Sequence, residues 1–523
     1  MTDAADRLFV NGEIHTLADP DETVEALAVR DGAIVRLGRT YDVRFLKGVD
    51  TDVVDLDGRV LLPGFVDAHT HLTTVGRSLV HADLSTARSP DDAVDRLADR
   101  AGEIEARSSD PAADWVLGYG YDESAWGDGR YLTSADLDRV STDRPVAAFR
   151  EDMHVAAVNG VVLDRFADAF DAAPDETVPT DDAGEPTGVL FESAIDPIYE
   201  AVEPGPSDTR EVIEAALAHC AETGITGFHD MVRNSHAPRA YRELDAAGAL
   251  TARVRINYWS DHLDALREVG LGTSDGSDTV EAGAIKSYTD GSVGGRTAKL
   301  SVPYDDAPDR TGRWVVDPEE LAETVADATD AGYQFAAHAI GDEAVDAVLD
   351  AYADHSHTDP GAARHRIEHV ELASDEAIAW LARTGAVASV QPNFLKWAGE
   401  GGLYDARLGD RWTGMNRYRD MLDAGVHVAF GSDGMPMDPL LGVHHAVNAP
   451  AESQRLTVTE ALRAYTRGAA YAGFDEDRLG TIEPGKRADL VALGSSPWAE
   501  PSAICDVDVA MTVVDGEVVH DGR

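Results

Sequence analysis

Apolar and polar residues alternate along both ends of the chain. Residues 1–60 contain runs such as RLFVNGEIHTL and ALAVRDGAIVRLG, separated by Asn-Gly and Asp-Gly pairs, and residues 474–523 contain ADLVALGSS and DVAMTVVDGEVVHDG. Such alternation, broken by these dipeptides, predicts short strands joined by hairpin turns. Because neither segment is large enough to be stable alone, we expect residues 1–60 and 474–523 to form one composite β-sandwich domain.

The middle of the chain, residues 61–473, predicts a different architecture. Short apolar runs alternate with stretches of helical period such as TREVIEAALAHCAETG (209–224), which is typical of βα units around a parallel sheet. Eight strands are predicted, at 61–72, 224–231, 253–259, 282–291, 333–342, 364–370, 386–394 and 426–433. Eight strands close a (β/α)8 barrel, so we predict an α/β fold with a TIM barrel. The long interval of about 73–223 is expected to be an insertion with structure of its own at the barrel mouth.

Polar or ionisable residues end seven of the eight predicted strands. They are His69 with His71, His229 with Asp230, Lys286, His338, His369, Gln391 and Asp433. Barrel active sites lie at the carboxyl ends of the strands, so this placement predicts one site there. Imidazole and carboxylate are the ligands that a Zn²⁺-like ion prefers. The pattern therefore indicates a metal centre.

Each of these residues also has an ordinary interpretation when it is taken singly. His338 and His369 could be hydrogen-bonded core histidines, and Asp433 could cap a turn. Lys286 is harder to explain in this way. It is one of only five lysines and lies in a predicted buried strand, where an unpaired ammonium is costly.

Longer motifs occur in order along nearly the whole chain. They include PGFVDAHTHL (63–72), GYGYDESAW (118–126), HVAAVNG (154–160), KSYTDGSVGGRTA (286–298), HAIGDEAVDAVL (338–349), RIEHV (366–370) and GTIEPGKRADLVAL (480–493). In these motifs the chain resembles the amidohydrolase superfamily, specifically its YtcJ-like branch (the amidohydrolase 3 group). The resemblance implies a metal-dependent hydrolase of a non-peptide C–N bond, in an amide or N-substituted formamide, that uses a metal-activated hydroxide. The alternatives are a cyclic amidase or deaminase at the same metal centre, or a non-catalytic regulatory relative.

The resemblance also implies a set of metal ligands. His69, His71 and Asp433 would bind a first ion, His338 and His369 a second, and Lys286, carboxylated on its side-chain nitrogen, would bridge them. Two Zn²⁺ per chain are expected, with one as the alternative, and Asp433 would be the catalytic residue that transfers the proton. The competing interpretation of Lys286 is an ion pair with Asp290. His154 and Arg296 are further candidates for substrate contact.

The net charge of the chain limits the classes of molecule that we expect as binding partners. The chain has 44 Lys and Arg against 96 Asp and Glu, a net charge of −52 spread along its length. Such a surface argues against nucleic acid or anionic membranes as partners. A lysine-poor, uniformly acidic chain is typical of a haloarchaeal-type protein kept soluble in concentrated salt, where screening removes self-repulsion. An ordinary acidic protein is the alternative.

The remaining sequence features concern location. No apolar run approaches the ~20 residues that a membrane span needs, and the first residues, MTDAADRLFV, lack the apolar region of a signal peptide. Cys220 and Cys505 form no metal or redox motif and are expected to be buried in a reducing compartment. We therefore expect a cytoplasmic protein without a membrane partner that acts on a small-molecule amide, with a homodimer as a compatible state.

We predict that the folded state depends on salt, because carboxylate repulsion is screened only when the Debye length falls to a few ångströms, at about 1 M salt. The melting temperature, followed by circular dichroism in a KCl series from about 0.1 M to about 3 M, should rise steeply and then level off. A melting temperature that does not change with salt would contradict this prediction.

Overall fold

The structure is a computed structural model that describes residues 4–107, 115–123, 126–151, 153, 155–174, 177–354 and 360–523. His154, a predicted substrate contact, lies outside the described residues. The chain divides into two compact units, residues 1–72 with 217–523 and residues 73–216.

Eight parallel strands form the predicted barrel, each hydrogen-bonded to its neighbours in chain order. They are β1 (Phe65–Thr70), β2 (Ile225–Val232), β3 (Arg253–Trp259), β4 (Val280–Tyr288), β5 (Phe335–Ala339), β6 (Arg366–His369), β7 (Val387–Val390) and β8 (His427–Phe430). Nearly all of their residues are buried, as expected for a parallel sheet covered on both faces. The predicted TIM-barrel fold is confirmed.

The first predicted strand, at 61–72, is in fact two strands. Val60–Pro63 belongs to a sheet made from the chain ends, and β1 begins only after Gly64. A Cβ on Gly64 would lie 2.2 Å from Thr226 Oγ1, so the chain can pass this close to β2 only without a side chain.

Helices follow the barrel strands and cover the outside of the sheet. Ser374 shows how the sequence sets their bounds, because its side chain accepts a hydrogen bond from Ala377 N at the start of one helix, and Gly385 ends that helix in a left-handed conformation (φ 71°). The helices of this part are Ala237–Ala246, Leu263–Val269, Pro318–Asp330, Asp342–Asp354, Pro360–Ala363, Asp375–Thr384, Leu403–Leu408, Tyr418–Asp423, Pro439–Val447, Val458–Arg463 and Ala469–Ala472.

Strands from both chain ends form two further sheets. A four-stranded sheet has the order Ala33–Gly38, Ala26–Arg30, Ala5–Val10 and Lys47–Asp55, with the helix Thr40–Val43 beside it. A six-stranded sheet has the order Glu517–Asp521, Val509–Val514, Leu490–Leu493, Val60–Pro63, Glu13–His15 and Thr23–Val24. One apolar cluster joins them, with Phe9 and Leu27 from the first sheet against Leu490 and Met511 from the second.

Arg253, at the start of β3, ties the barrel to the six-stranded sheet. Its Nε donates to Asp489 Oδ2 at 2.6 Å and its Nη2 to Asp489 Oδ1 at 3.1 Å. The two side chains are only 7% and 5% exposed. Asp489 also accepts from Asp515 N at 2.8 Å, so the carboxylate connects the guanidinium to a turn near the end of the chain.

The second unit, residues 73–216, contains a five-stranded sheet. Its strands, in spatial order, are Val189–Phe191, Val155–Val158, Val146–Arg150, Val116–Tyr121 and Ala82–Asp83. Alternate residues of one strand serve the two faces, since Val146 and Ala148 pack in one apolar cluster and Ala147 and Phe149 in the other. Its helices are Pro90–Arg107, Ser134–Leu137, Gly160–Arg165, Ala167–Asp171 and Asp196–Ala201, while the helices Leu72–Val80 and Pro206–Glu222 contain residues of both units.

Two expectations about location can be compared with the structure. None of the described helices is long and apolar enough to cross a membrane. The prediction that both cysteines are buried is correct for Cys220 and wrong for Cys505, which is exposed. Cys505 lies in the short helical segment Pro501–Asp506, in which Ile504 is the buried residue.

We predict that Arg253→Met lowers the free energy of unfolding by about 3–5 kcal/mol, because the substitution leaves the Asp489 carboxylate buried without its cation. Denaturant unfolding at constant high salt would measure this change. The double variant Arg253→Met/Asp489→Asn should recover part of the loss, since no unpaired charge remains. A double variant that loses the sum of the two single effects would contradict the ion-pair explanation.

Candidate metal centre

The structure brings the six predicted ligands together at the carboxyl end of the barrel. They are His69 in β1, His71 just after it, Lys286 in β4, His338 in β5, His369 at the end of β6, and Asp433 after β8. The ring centroids of His69 and His369 are 5.0 Å apart, and those of His338 and His369 are 4.5 Å apart. Side chains from residues far apart in sequence therefore share one small volume.

Three of these residues form a tighter group. His69, His369 and Asp433 each offer one ligand atom within 4.8 Å of the other two. Among the described residues, this is the cluster of His, Cys, Asp and Glu side chains close enough to hold a metal ion. The resemblance assigns His69 and Asp433 to one ion and His369 to the other. In the structure these three residues lie together in one centre.

His71 and His338 lie on either side of this group. His71 Nε2 is 3.4 Å from Asp433 Oδ1, and the His71 side chain is 31% exposed. His338 is buried, and its Nε2 lies 3.1 Å from Gly291 O, to which it can donate. His338 therefore has Nδ1 left as its ligand atom.

Hydrogen bonds determine which ring nitrogen of His69 and of His369 remains available to a metal ion. His69 Nδ1 lies 2.6 Å from Glu368 Oε2, and His369 Nδ1 lies 2.7 Å from Gln391 Oε1. Since both partners are acceptors, each Nδ1 carries a proton, and Nε2 is the ring nitrogen left for a metal ion. A partner of this kind on the outer ring nitrogen is what orients metal-binding histidines.

Glu368 and its neighbour in the strand, Arg366, are functional residues that sequence reasoning missed. Both side chains are fully buried, and Arg366 Nε donates to Glu368 Oε1 at 2.8 Å. The available signal was their spacing of two in β6, which places both on the inner face of the barrel. His369, one residue later, would face outward on a regular strand. Its left-handed φ of 76°, followed by 49° at Val370, changes the direction of the chain there.

Asp433 is held in place by the backbone as well as by the histidines. Its N–H donates to His69 O at 2.7 Å, and it has a left-handed φ of 57°. Gly431 allows this contact, because a Cβ there would lie 2.4 Å from His69 N. Burial raises the pKa of Asp433, but hydrogen bonding to His69 and the charges of nearby imidazoles outweigh it, so the net pKa falls well below the usual range.

The histidines differ in how burial affects them. Burial lowers the pKa of His71 to about 4 and that of His369 to about 3, so both rings are neutral at pH 7. Burial also lowers the pKa of His69, but Glu368 and Asp433 outweigh it and the net pKa is raised. A neutral imidazole is the form that binds a metal ion, so His71 and His369 are already in that form and His69 would release its second proton on binding.

Lys286 is a buried amine without an ion pair in the described part of the chain. It is 1% exposed, and its Nζ lies 5.4 Å from the ring centroid of Trp259 and 5.1 Å from that of Tyr288. Burial lowers its pKa to about 8.

Asp290, the alternative partner of Lys286, is engaged elsewhere. Its carboxylate accepts hydrogen bonds from the backbone N–H groups of Lys299, Ile340 and Gly341, at 2.8, 3.0 and 2.8 Å. The ion pair between Lys286 and Asp290 is therefore absent among the described contacts.

The remaining candidate residues, two at the end of β2 and one in the loop after β4, form hydrogen bonds with other side chains or with the backbone. Asp230 accepts from Leu72 N at 2.9 Å and from Tyr241 OH at 2.7 Å. His229 Nδ1 lies 2.8 Å from Arg366 Nη1. Arg296, a predicted substrate contact, pairs with Asp306 through two nitrogens, at 2.9 and 2.7 Å.

The barrel, its buried imidazoles and its carboxylate define a metal-dependent hydrolase, and comparison with known proteins identifies the family. Residues 52–520 match the model of the amidohydrolase family (Amidohydro_3). The protein YtcJ of Bacillus subtilis (strain 168) is 33% identical, over 98% of this chain and 99% of its own. The chain therefore belongs to the amidohydrolase family, in its YtcJ-like branch, and is a hydrolase of carbon–nitrogen bonds.

Two further relatives extend the comparison. The N-substituted formamide deformylase of Arthrobacter pascens is 26% identical over 100% of this chain and 99% of its own. The crystal structure of an uncharacterized metal-dependent hydrolase from Pyrococcus furiosus is 29% identical and superposes with a TM-score of 0.78, covering 94% of this chain and 99% of that chain.

We predict that Gly431→Ala reduces kcat/KM by about tenfold or more, because the new methyl group must push the end of β8 away from His69 and misplace the centre. Gly425→Ala is the matched control, since a Cβ at that position meets nothing within 4 Å, although its φ of 83° adds local backbone strain. Similar activities for the two variants would contradict this prediction.

Proposed function

We propose that the protein hydrolyses the C–N bond of a small amide at a centre of one or two divalent ions, with N-substituted formamides as the first substrate class. The observation that carries this proposal is the group formed by the buried His69 and His369 and the partly buried Asp433, whose ligand atoms lie within 4.8 Å of one another. The similarity to the formamide deformylase supports the substrate class. Cyclic amides and deamination are the second candidate, favoured by the same group of ligands.

The residues present fit a zinc ion. His69 and His369 can each offer Nε2 as a ligand, and Asp433 adds a carboxylate oxygen, which gives the mixed nitrogen and oxygen set that Zn²⁺ prefers. His71 and His338 are placed to complete this set or to hold a second ion. A divalent ion bound there would supply Lewis acidity, both to polarise the substrate carbonyl and to make water more acidic.

We propose in addition that Lys286 is carboxylated. The neutral amine attacks the carbon of CO₂, an N–C bond forms as one C=O π bond opens onto oxygen, and the nitrogen releases a proton. The product is an anionic carbamate, which replaces a buried cation with a group that dications stabilise. Three observations support this step: the burial of Lys286, its lack of an ion pair in the described structure, and a pKa lowered to about 8, which increases the share of neutral amine near pH 7.

Asp433 is the residue we propose to move the proton. Its carboxylate is kept ionised, so it can accept a proton from the attacking water and pass it to the departing nitrogen. The His69 and His71 rings, whose Nε2 atoms both lie 3.4 Å from Asp433 Oδ1, fix the direction in which the carboxylate points. The buried Phe394, whose ring centroid lies 6.1 Å from that of His369 with the two planes nearly parallel, adds an apolar contact to this histidine.

We predict that the purified protein contains at least one equivalent of divalent metal and hydrolyses members of a panel of N-substituted formamides, simple amides and N-acyl amino acids in high salt. Asp433→Asn should lower kcat by about 10²- to 10⁴-fold, the range for loss of a general acid–base group. Removal of the metal with a chelator should abolish turnover, and Zn²⁺ should restore it. Equal turnover by the wild type and by His338→Ala or Asp433→Asn would contradict the mechanism.

We predict that protein incubated with ¹³C-bicarbonate shows a carbamate carbon signal by NMR, and that Lys286→Arg does not, because the guanidinium stays protonated and cannot react. Lys299→Arg is the control, since Lys299 is a partly exposed lysine already paired with Glu343. A carbamate signal that persists in Lys286→Arg would place the modification elsewhere.

A further inference from the structure

Arg366 is a fully buried cation that contacts four strands of the barrel. From β6, its Nη2 donates to Ala68 O in β1 at 2.6 Å and to Ser389 Oγ in β7 at 3.0 Å. Its Nη1 lies 2.8 Å from His229 Nδ1 in β2. The side chain is 0% exposed, and a planar guanidinium with acceptors in three directions can occupy only one position. The strands around it therefore fix where Arg366 lies.

Arg366 in turn fixes Glu368. Glu368 Oε1 accepts from Arg366 Nε at 2.8 Å, while Oε2 accepts from Arg366 Nη2 at 3.1 Å and from His69 Nδ1 at 2.6 Å. Both oxygens are occupied, one by Arg366 alone and one by Arg366 and His69 together. The carboxylate therefore cannot rotate without losing a charged hydrogen bond.

The structure assigns to Arg366 the role of a positioning residue, which holds Glu368 against His69. His69 is then oriented for a metal ion. This inference rests on the proposed function, since it presupposes a metal ion at His69.

The test compares Arg366→Met with Arg253→Met. Both substitutions remove a buried arginine that makes a bidentate pair with a carboxylate, but Arg253 pairs with Asp489, which belongs to the sheets made from the chain ends. Two properties of each purified protein are measured: the melting temperature, and the Zn²⁺ affinity of the metal-free form by competition with a chromogenic chelator.

Both variants should melt at a lower temperature than the wild type. Only Arg366→Met should also bind Zn²⁺ about 10- to 100-fold more weakly, the range for loss of a group that orients a metal ligand. A folded Arg366→Met with wild-type Zn²⁺ affinity would overturn the inference.

A double variant keeps the test decisive if Arg366→Met does not fold. Arg366→Met/Glu368→Gln removes both buried charges, which is often tolerated where removal of one is not. If Arg366 acts through Glu368, the double variant should bind Zn²⁺ at least as well as Glu368→Gln alone. An affinity reduced by the product of two independent losses would overturn the inference.

A wild type without stoichiometric metal would instead refute the proposed function, so the two failures can be distinguished.

Discussion

Buried charge is the constraint on which this structure depends. The end of the barrel contains a guanidinium, a glutamate, an aspartate and a lysine that are buried or mostly buried, and such groups are tolerated only when each has a partner. Arg366 and Glu368 compensate each other, and Asp433 has as its partner His69, whose pKa is raised. Lys286 alone has no such partner in the described part of the site, and this makes it the reactive position.

The same constraint explains how the barrel and the chain ends are connected. Arg253 and Asp489 form a second buried pair, this time between β3 and the six-stranded sheet. The two pairs have the same chemistry and different consequences. One connects sheets, and the other orients a histidine, because the further donor is the backbone Asp515 N at Asp489 and a ring nitrogen of His69 at Glu368. The surroundings of a buried ion pair therefore decide whether it serves stability or function.

Much of this arrangement could be predicted from the sequence. Apolar strands alternating with helical stretches give the barrel, and polar residues at strand ends locate the site, since a barrel has only one active face. Arg366 and Glu368 were missed because the partners of this pair, His69, Ala68 and His229, lie far away in sequence. The position of His369 depends on two left-handed residues, His369 and Val370, which no periodic pattern specifies. The sequence also did not predict the close group of His69, His369 and Asp433, because the position of His369 depends on these two left-handed residues.

The central claim is that these three side chains bind a divalent ion. Anomalous X-ray diffraction from crystals of the metal-loaded protein, recorded on both sides of the zinc absorption edge, would test it most directly. The account predicts an anomalous peak about 2.0–2.2 Å from His69 Nε2, His369 Nε2 and an oxygen of Asp433, the usual zinc–ligand distances. A well-ordered barrel with no peak between these residues, or with its zinc bound elsewhere, would contradict it.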